Sequence, residues 1–206
     1  MSITLYYHPF TRAAAVVTML EELGVPYKLE FVDVRKSAHK DPDFLALNPM
    51  GKLPMLRDGD ALITESAAIG MYLADRYAPG RLAPALEDPE RATYLRWILY
   101  SPSVIEPACY AKNAGWAVRE SAAGWGSYEA MLTTVEHAIG EGPWLLGDHF
   151  TMADVTFGST IAYMLMFNLL EPRPTFLAYR DRVEARPAWK AAKAVNAAAI
   201  AEHGLA

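Results

Sequence analysis

Apolar and polar positions along residues 3–77 predict short strands alternating with helices. The predicted elements are, in chain order, strand 3–7, helix 11–23, strand 27–34, helix 41–47, strands 53–56 and 61–63, and helix 65–77. Gly24 provides a C-cap for the first helix, and Asn48-Pro49 stops the second because a residue before proline disfavours helical backbone. Asp58-Gly59 is typical of a hairpin turn. The predicted order is therefore β-α-β-α-β-β-α.

Beyond residue 77 the pattern predicts helices and no strand. Pro79-Gly80, followed by Pro84 and Pro89, is typical of a linker. The predicted helices occupy residues 90–141, as two long helices with a break within 116–126, and then 152–170, 172–184 and 187–202. Pro107 lies inside the first stretch, where a missing backbone donor is expected to kink the helix. Strands with helices, followed by helices only, predict two domains, 1–78 and 89–206, joined by a linker at 79–88.

Composition and charge narrow the classes of partner. Of the 206 residues, 52% are hydrophobic and 21% are charged, as expected of a globular protein. The formal net charge is −5 and no run of Lys and Arg is present, so we expect no nucleic-acid partner. The N-terminal sequence lacks the features of a signal peptide, and the most apolar run, residues 155–170, is interrupted by Gly158 and Asn168. We therefore expect a cytoplasmic protein with no membrane partner.

The cysteine content limits the redox and metal chemistry that we expect. Cys109 is the only cysteine, so the chain has no internal disulfide and no CxxC pair. It is expected to be a buried small hydrophobe rather than a nucleophile. No metal-binding or nucleotide-binding motif is visible.

Two motifs lie at characteristic places along the chain. Residues 48–54 read Asn-Pro-Met-Gly-Lys-Leu-Pro and are followed, after the hairpin, by Thr64-Glu65-Ser66 at a helix start. Residues 147–154 read Gly-Asp-His-Phe-Thr-Met-Ala-Asp. In this order and spacing the motifs resemble those of the cytosolic glutathione transferase family, and the resemblance covers almost the whole chain. It implies a thioredoxin-like glutathione-binding domain (α/β) followed by an all-α helical-bundle domain.

The resemblance implies a site for glutathione, which carries two carboxylates, an amine and a thiol. The γ-glutamyl carboxylate is expected at the N-terminus of helix 65–77, where backbone N–H groups and the Ser66 hydroxyl can donate to it. Glu65 can pair with the ammonium group of the ligand. An ordinary helix start would also carry Thr, Glu and Ser, and this alternative stays open.

The turn before the hairpin is expected to hold the rest of the tripeptide. In the family, Pro54 follows a cis peptide bond and Leu53 presents its backbone to the cysteinyl part of glutathione. Lys52 is placed to reach the glycine carboxylate, although a solvated surface lysine is the alternative. His39 and Lys40 resemble residues that some members use for the same carboxylate.

The candidate groups for activating the thiol follow the first strand. The thiolate is the nucleophile, so a hydrogen bond to sulfur or a nearby helix N-terminus favours the reaction. Thr11 is the first choice, because serine-type members place their catalytic hydroxyl there; its methyl group restricts the rotamer. Tyr7 is the rival, at the position of the catalytic tyrosine in tyrosine-type members. Arg12 stands where cysteine-type bacterial members have their cysteine; it cannot form a mixed disulfide, but its guanidinium could bind glutathione by stabilising the thiolate. The resemblance is to a bacterial-like member with a serine/threonine-type rather than a cysteine-type active site.

An apolar electrophile needs an apolar pocket facing the thiolate. The candidate lining residues are Phe10, Trp97, Tyr100, Ser103 and Tyr110. Core packing is the alternative for each of them. Thr151 and Asp154 are expected to form a capping box that stabilises a helix and takes no part in the chemistry.

The resulting hypothesis is an enzyme that transfers the thiolate of glutathione, its co-substrate, to a small apolar electrophile. The family implies a homodimer and a role in detoxification. Two alternatives remain: a glutathione-dependent peroxidase, isomerase or dehalogenase on the same fold, and a non-catalytic glutathione-binding or protein-interaction module.

Overall fold

The computed structural model describes residues 3–140 and 142–205. The ends of the predicted ranges that fall on Met1, Ser2, Glu141 and Ala206 lie outside the described residues. The chain forms two compact units: one reaches Leu73 and takes up the chain again from Pro187, and the other comprises Ala74–Arg186. Each unit has its own core.

The first unit is built on a four-stranded mixed sheet. Its elements are β1 (Ile3–Tyr7), α1 (Ala13–Leu23), β2 (Tyr27–Phe31), α2 (Pro42–Leu47), β3 (Met55–Asp58), β4 (Ala61–Thr64), and the start of α3 (Ser66–Tyr77). The strand order is β2-β1-β3-β4, with β1 and β2 parallel and the other neighbours antiparallel. The predicted order of elements is confirmed.

Buried and partly exposed side chains alternate along β1, and α1 packs against this strand. Ile3, Leu5 and Tyr7 are buried, while the residues between them are partly exposed. Helix α1 contacts β1 and buries Val16 and Leu20 among other residues. Gly24 ends α1 in a left-handed conformation with φ 69°, and its N–H donates to the carbonyl of Leu20. The C-cap predicted at this glycine is therefore present.

The last helix, α9 (Pro187–Glu202), packs against α1 in the first unit. It buries Trp189, Ala192 and Ala199, and the two alanines allow the helices to approach closely. The compact units thus differ from the division expected from the sequence, in which residues 89–206 form one helical domain. Helical periodicity shows that α9 has an apolar face but does not identify the surface that the face covers.

The second unit is helical throughout the part that the structure describes. Its elements after α3 are α4 (Glu90–Tyr100), α5 (Glu106–Asn113), α6 (Tyr128–Gly140), α7 (Met152–Met166) and α8 (Pro174–Glu184). Helix α7 is buried along almost its whole length. Its Phe157 ring makes edge-on contacts with Trp97 and Tyr179, at centroid distances of 5.8 and 5.9 Å. None of the helices in residues 3–140 and 142–205 has the length and apolarity needed to cross a membrane.

Two helix boundaries in the second unit differ from the prediction. The predicted long helix after residue 90 is divided by a π-helical stretch, Ser101–Ile105, and Pro107 lies in the first turn of α5. Residues 90–113 are helical without a break, and the π-helical stretch, an irregularity within a helix, lies directly before Pro107. The kink expected at Pro107 stays a prediction. Helix α7 ends at Met166 rather than near residue 170, close to Asn168 with φ 55°.

The predicted capping box at the start of α7 is confirmed. The Thr151 hydroxyl accepts a hydrogen bond from the N–H of Ala153 (3.2 Å), and the Asp154 carboxylate accepts one from the N–H of Thr151 (2.9 Å). Asp154 is fully buried and also accepts hydrogen bonds from the N–H of Leu145 and the hydroxyl of Tyr179, both at 2.8 Å. This carboxylate therefore joins α7 to α8 and to the segment before α7.

Candidate functional site

Three segments with predicted site residues meet at one end of the sheet. Tyr6 at the end of β1 pairs with Met55 at the start of β3, and Met55 also pairs with Thr64 at the end of β4. The loop after β1, the Leu53-Pro54 turn before β3, and the start of α3 after β4 therefore share one edge. This arrangement follows from antiparallel pairing, in which one strand ends where its neighbour begins.

The loop from Asn48 to Lys52 is held by its own side chains and by a neighbouring turn. Asn48 is buried, and its side-chain amide donates to the carbonyl of Lys52 (2.9 Å) while its Oδ1 accepts from the N–H of Met50 (3.2 Å). The Lys40 ammonium donates to the carbonyl of Met50 (3.1 Å). Gly51 has φ 55°, and a Cβ there would lie 2.7 Å from the carbonyl oxygen of His39. The His39–Lys40 turn thus packs over this loop and supports it.

Leu53 and Pro54 continue from this loop into β3. Their peptide bond is cis, as the resemblance implies. The Leu53 side chain packs against a buried cluster of Val32, Phe44 and Met55. Lys52 is exposed. The apolar anchoring of Leu53 fixes the backbone at the sheet edge.

Helix α3 begins at this edge with an unusual backbone conformation. Glu65, immediately before α3, has φ 68°, a left-handed conformation that is unfavourable for a residue with a side chain. Its carbonyl accepts the first helical hydrogen bond, from the N–H of Ile69 (2.9 Å). The Glu65 side chain is exposed and Ser66 is half-buried. Backbone strain of this kind is found more often at functional positions than elsewhere.

Thr11 lies in the turn that leads into α1. Its hydroxyl donates to the carbonyl of His8 (2.8 Å) and accepts from the N–H of Ala13 (3.2 Å). The hydroxyl therefore lies at the amino end of α1, where the helix dipole favours a negative charge. Arg12 follows it and is half-buried.

Tyr7 is in a different environment from Thr11, although both were candidates for the same role. It is 1% exposed, and its hydroxyl donates to Oδ1 of Asn196 on α9. Burial raises the pKa of Tyr7 to about 12. The Tyr7 hydroxyl is thus engaged with α9.

His8 is a buried residue of this loop that sequence reasoning missed. Its Nδ1 accepts a hydrogen bond from the N–H of Phe10 (3.2 Å), and the residue is 1% exposed. The signal in the sequence is a histidine between a predicted strand and a proline, three residues before Thr11. Phe10, a candidate for contact with an electrophile, is 59% exposed.

The other candidate pocket residues lie in the second unit. Trp97 is largely buried and contacts the Tyr100 ring at 5.0 Å, while Ser103 donates to the carbonyl of Leu99 (2.6 Å). Tyr110 is 40% exposed. For Trp97, these contacts match the core-packing alternative.

A cavity of about 380 Å³ in the second unit is lined by other residues, from the segment between α5 and α6 and its flanks. Trp116, Trp125 and Tyr128 are its aromatic lining residues, and Lys112 lies 5.6 Å from the Tyr128 ring. Trp97, Tyr100, Ser103 and Tyr110 are not among the residues that line it. Sequence reasoning missed this cavity because the segment has no regular apolar period, although its tryptophans stand among glycines.

Comparison with known proteins identifies the family. Residues 1–75 match the model of the "Glutathione S-transferase, N-terminal domain", and residues 117–191 match that of the "Glutathione S-transferase, C-terminal domain". The chain is 30% identical over 197 residues to glutathione S-transferase F14 of Arabidopsis thaliana. The aligned region covers 85% of this chain and 76% of that protein. This chain belongs to the glutathione S-transferase family. The predicted family and the predicted class of enzyme, a transferase, are confirmed.

Solved structures of glutathione transferases share the fold of this family member. The transferase URE2P6 of Phanerochaete chrysosporium, in complex with oxidized glutathione, superposes with a TM-score of 0.79 at 27% identity, covering 96% of this chain and 97% of that chain. A glutathione transferase of Methylococcus capsulatus gives a TM-score of 0.78 at 30% identity, with coverages of 95% and 98%. The predicted thioredoxin-like domain with a helical C-terminal domain is confirmed.

Proposed function

We propose that this transferase binds reduced glutathione at the shared edge of the sheet and transfers its thiolate to a small apolar electrophile. The observation that carries the proposal is the meeting of three features at that edge. They are the anchored Leu53-Pro54 turn, the left-handed Glu65 before α3, and the Thr11 hydroxyl at the start of α1.

The binding mode follows from the charges of the ligand. The γ-glutamyl carboxylate lies at the amino end of α3, where backbone N–H groups and Ser66 donate to it. Exposed Glu65 pairs with the ligand ammonium group, and Lys52 pairs with the glycine carboxylate. The backbone of Leu53 pairs with the cysteinyl residue, since the Leu53 side chain is directed into the apolar cluster. Each charged group of the tripeptide thus meets a complementary group.

The thiolate lies by Thr11, which makes the site threonine-type. When its single proton turns from the His8 carbonyl to the sulfur, the Thr11 hydroxyl adds a hydrogen bond to the effect of the α1 dipole, and both favour the thiolate over the thiol. The Tyr7 hydroxyl is a weaker candidate because it is buried against Asn196. Arg12, next to Thr11, adds a positive charge near the sulfur. Homodimer formation and a cytoplasmic location belong to the same proposal, and light scattering of the purified protein tests the dimer.

Titration calorimetry with reduced glutathione tests the binding site. We expect Glu65→Gln to weaken binding about tenfold or more, because it removes a charged partner of the ammonium group. Glu30→Gln is the matched control, since Glu30 is an exposed glutamate on β2, the edge strand on the opposite side of the sheet from β4, which Glu65 follows. If wild-type protein gives no binding heat, or both variants bind equally, the proposed site is wrong. Product analysis then separates conjugation, which consumes glutathione, from peroxidase activity, which yields its disulfide.

A further inference from the structure

His8 accepts the hydrogen bonds that shape the loop carrying Thr11. Its ring Nδ1 accepts from the N–H of Phe10 (3.2 Å), and its carbonyl accepts from the N–H of Thr11 (3.1 Å) and from the Thr11 hydroxyl (2.8 Å). One residue therefore accepts three hydrogen bonds from the two residues that follow Pro9. The position of the Thr11 hydroxyl oxygen at the start of α1 depends on this turn.

The bond from Phe10 requires a particular state of the His8 ring. A ring nitrogen that accepts an N–H donor carries no proton, so the imidazole is neutral and its proton is on Nε2. Nε2 is buried and has no hydrogen-bond partner. The ring orientation is set by stacking on Phe31, at a centroid distance of 5.4 Å and an interplanar angle of 29°. Packing thus holds the ring so that Nδ1 faces the Phe10 amide.

We infer that neutral His8 is a positioning residue for the thiol chemistry, holding the Phe10 amide so that the Thr11 hydroxyl stays at the amino end of α1. The inference rests on the proposed glutathione transfer. His8 acts through Thr11 and does not touch the substrate.

This role makes the loop sensitive to acid. A proton on Nδ1 would oppose the N–H of Phe10, so the charged ring cannot keep the observed turn. The charged and titratable groups that face His8 are Asp33, which favours its protonation, and Arg35 and His203, which oppose it. Burial is the largest influence and lowers the pKa of His8 below its usual value.

Two substitutions separate the acceptor from the ring. His8→Asn keeps an acceptor, Oδ1, at the position of Nδ1, whereas His8→Phe keeps a ring that can stack on Phe31 but has no acceptor. We expect amide hydrogen exchange at Phe10 to be about tenfold faster in His8→Phe and nearly unchanged in His8→Asn. Unchanged exchange in His8→Phe would overturn the inference, whatever the protein catalyses.

Kinetics with saturating glutathione test the link to the reaction. We expect His8→Phe to lower kcat about tenfold with little change in KM for glutathione. The separate variant His8→Asn, which keeps the acceptor, should retain most of the wild-type kcat. The acid limb of kcat should contain a step that follows the titration of the His8 ring, observed by NMR in wild-type protein. In His8→Asn only the step from protonation of the glutathione thiolate should remain. If His8→Phe does not fold, the comparison of the NMR titration of His8 with the pH dependence of kcat in wild-type protein still tests the inference.

The outcomes distinguish the two proposals. Equal rate losses in His8→Phe and His8→Asn, or an acid limb that ignores the ring titration, would overturn the positioning role while glutathione transfer stands. Absence of glutathione binding in wild-type protein would overturn the proposed function, and the positioning role with it. In that case the amide of Phe10 would still exchange faster in His8→Phe than in His8→Asn, but only as an effect on the structure of the loop.

Discussion

At the scale of the residue, the candidate hydroxyls differ in what they already bind. Thr11 donates to a carbonyl within its own turn, and it is half-buried. Tyr7 donates to Asn196 and is 1% exposed, so freeing its hydroxyl would leave a buried polar group without a partner. The difference in environment, which the sequence cannot show, favours Thr11 as the group that can turn toward a bound thiolate.

Substitutions at Thr11 and Tyr7 test this difference. We expect Thr11→Val to lower kcat roughly ten- to a hundredfold, the effect of a hydrogen bond to a charged group, with little change in glutathione affinity. Thr11→Ser, which keeps the hydroxyl, is the control and should stay near wild type. Tyr7→Phe should lower the melting temperature and leave the pKa of bound glutathione unchanged. The assignment fails if Tyr7→Phe, and not Thr11→Val, reduces turnover.

The buried imidazole of His8 also predicts how stability depends on pH. Its folded-state pKa lies below the unfolded value of about 6.5, so the unfolded chain binds the proton more readily. The stability that neutral His8 contributes is therefore complete above about pH 6.5 and is lost as the pH falls toward the folded-state pKa. We expect the free energy of unfolding, measured with urea, to fall less between pH 7 and pH 5 in His8→Asn than in wild-type protein. Equal losses in both proteins would contradict this prediction.

At the scale of the element, pattern and turn chemistry predicted most of the first unit. The order of strands and helices and the Gly24 cap follow from local rules and are present, as is the capping box at Thr151 in the second unit. What the sequence could not predict depends on contacts between distant residues. The left-handed Glu65, the buried ring of His8 and the packing of α9 on α1 arise only when the sheet edge and the helices are assembled.

Gly51 and Gly59 allow the loop before Pro54 to be tested with a matched control. Both glycines have positive φ, 55° and 59°, but a Cβ at Gly59 meets nothing within 4 Å whereas one at Gly51 meets the His39 carbonyl at 2.7 Å. We expect Gly59→Ala to cost about 1 kcal/mol of unfolding free energy, from backbone conformation alone. Gly51→Ala should cost more and also weaken glutathione binding in calorimetry. Similar costs in the two variants would show that the His39–Lys40 turn does not constrain the loop.

Asp154 is expected to contribute to the stability of the protein and not to catalysis. Removing its carboxylate leaves the N–H groups of Leu145 and Thr151 and the hydroxyl of Tyr179 without their acceptor in a buried site. Each unsatisfied group costs about 1–3 kcal/mol, so we expect Asp154→Ala to lower the unfolding free energy by about 3 kcal/mol or more. Asp148→Ala, at an exposed position in the same motif, is the control. An unchanged melting temperature with lost activity would contradict the structural role.

At the scale of the whole molecule, the segment that begins with α9 belongs to the first unit, together with the N-terminal strands. Beyond α9, His203 stacks on Phe31 at 3.6 Å, and Phe31 stacks in turn on His8. The Arg35 guanidinium donates to the carbonyl of Gly204 (3.5 Å). His203 and Gly204 thus pack near the loop that carries Thr11, although they are far from it in the chain. This connection leads us to predict that α9 contributes to glutathione binding at the proposed site.

Two alanines of α9 test that contribution with the same substitution. Ala192 is 1% exposed and lies on the buried face of α9, whereas Ala194 is exposed. We expect Ala192→Leu to overpack this buried face, to lower the unfolding free energy by about 1–3 kcal/mol and to weaken glutathione binding, because the helix carries Asn196 and leads to His203. Ala194→Leu should leave both quantities near wild type. Normal glutathione affinity in a destabilised Ala192→Leu protein would show that α9 supports the first unit without shaping its binding edge.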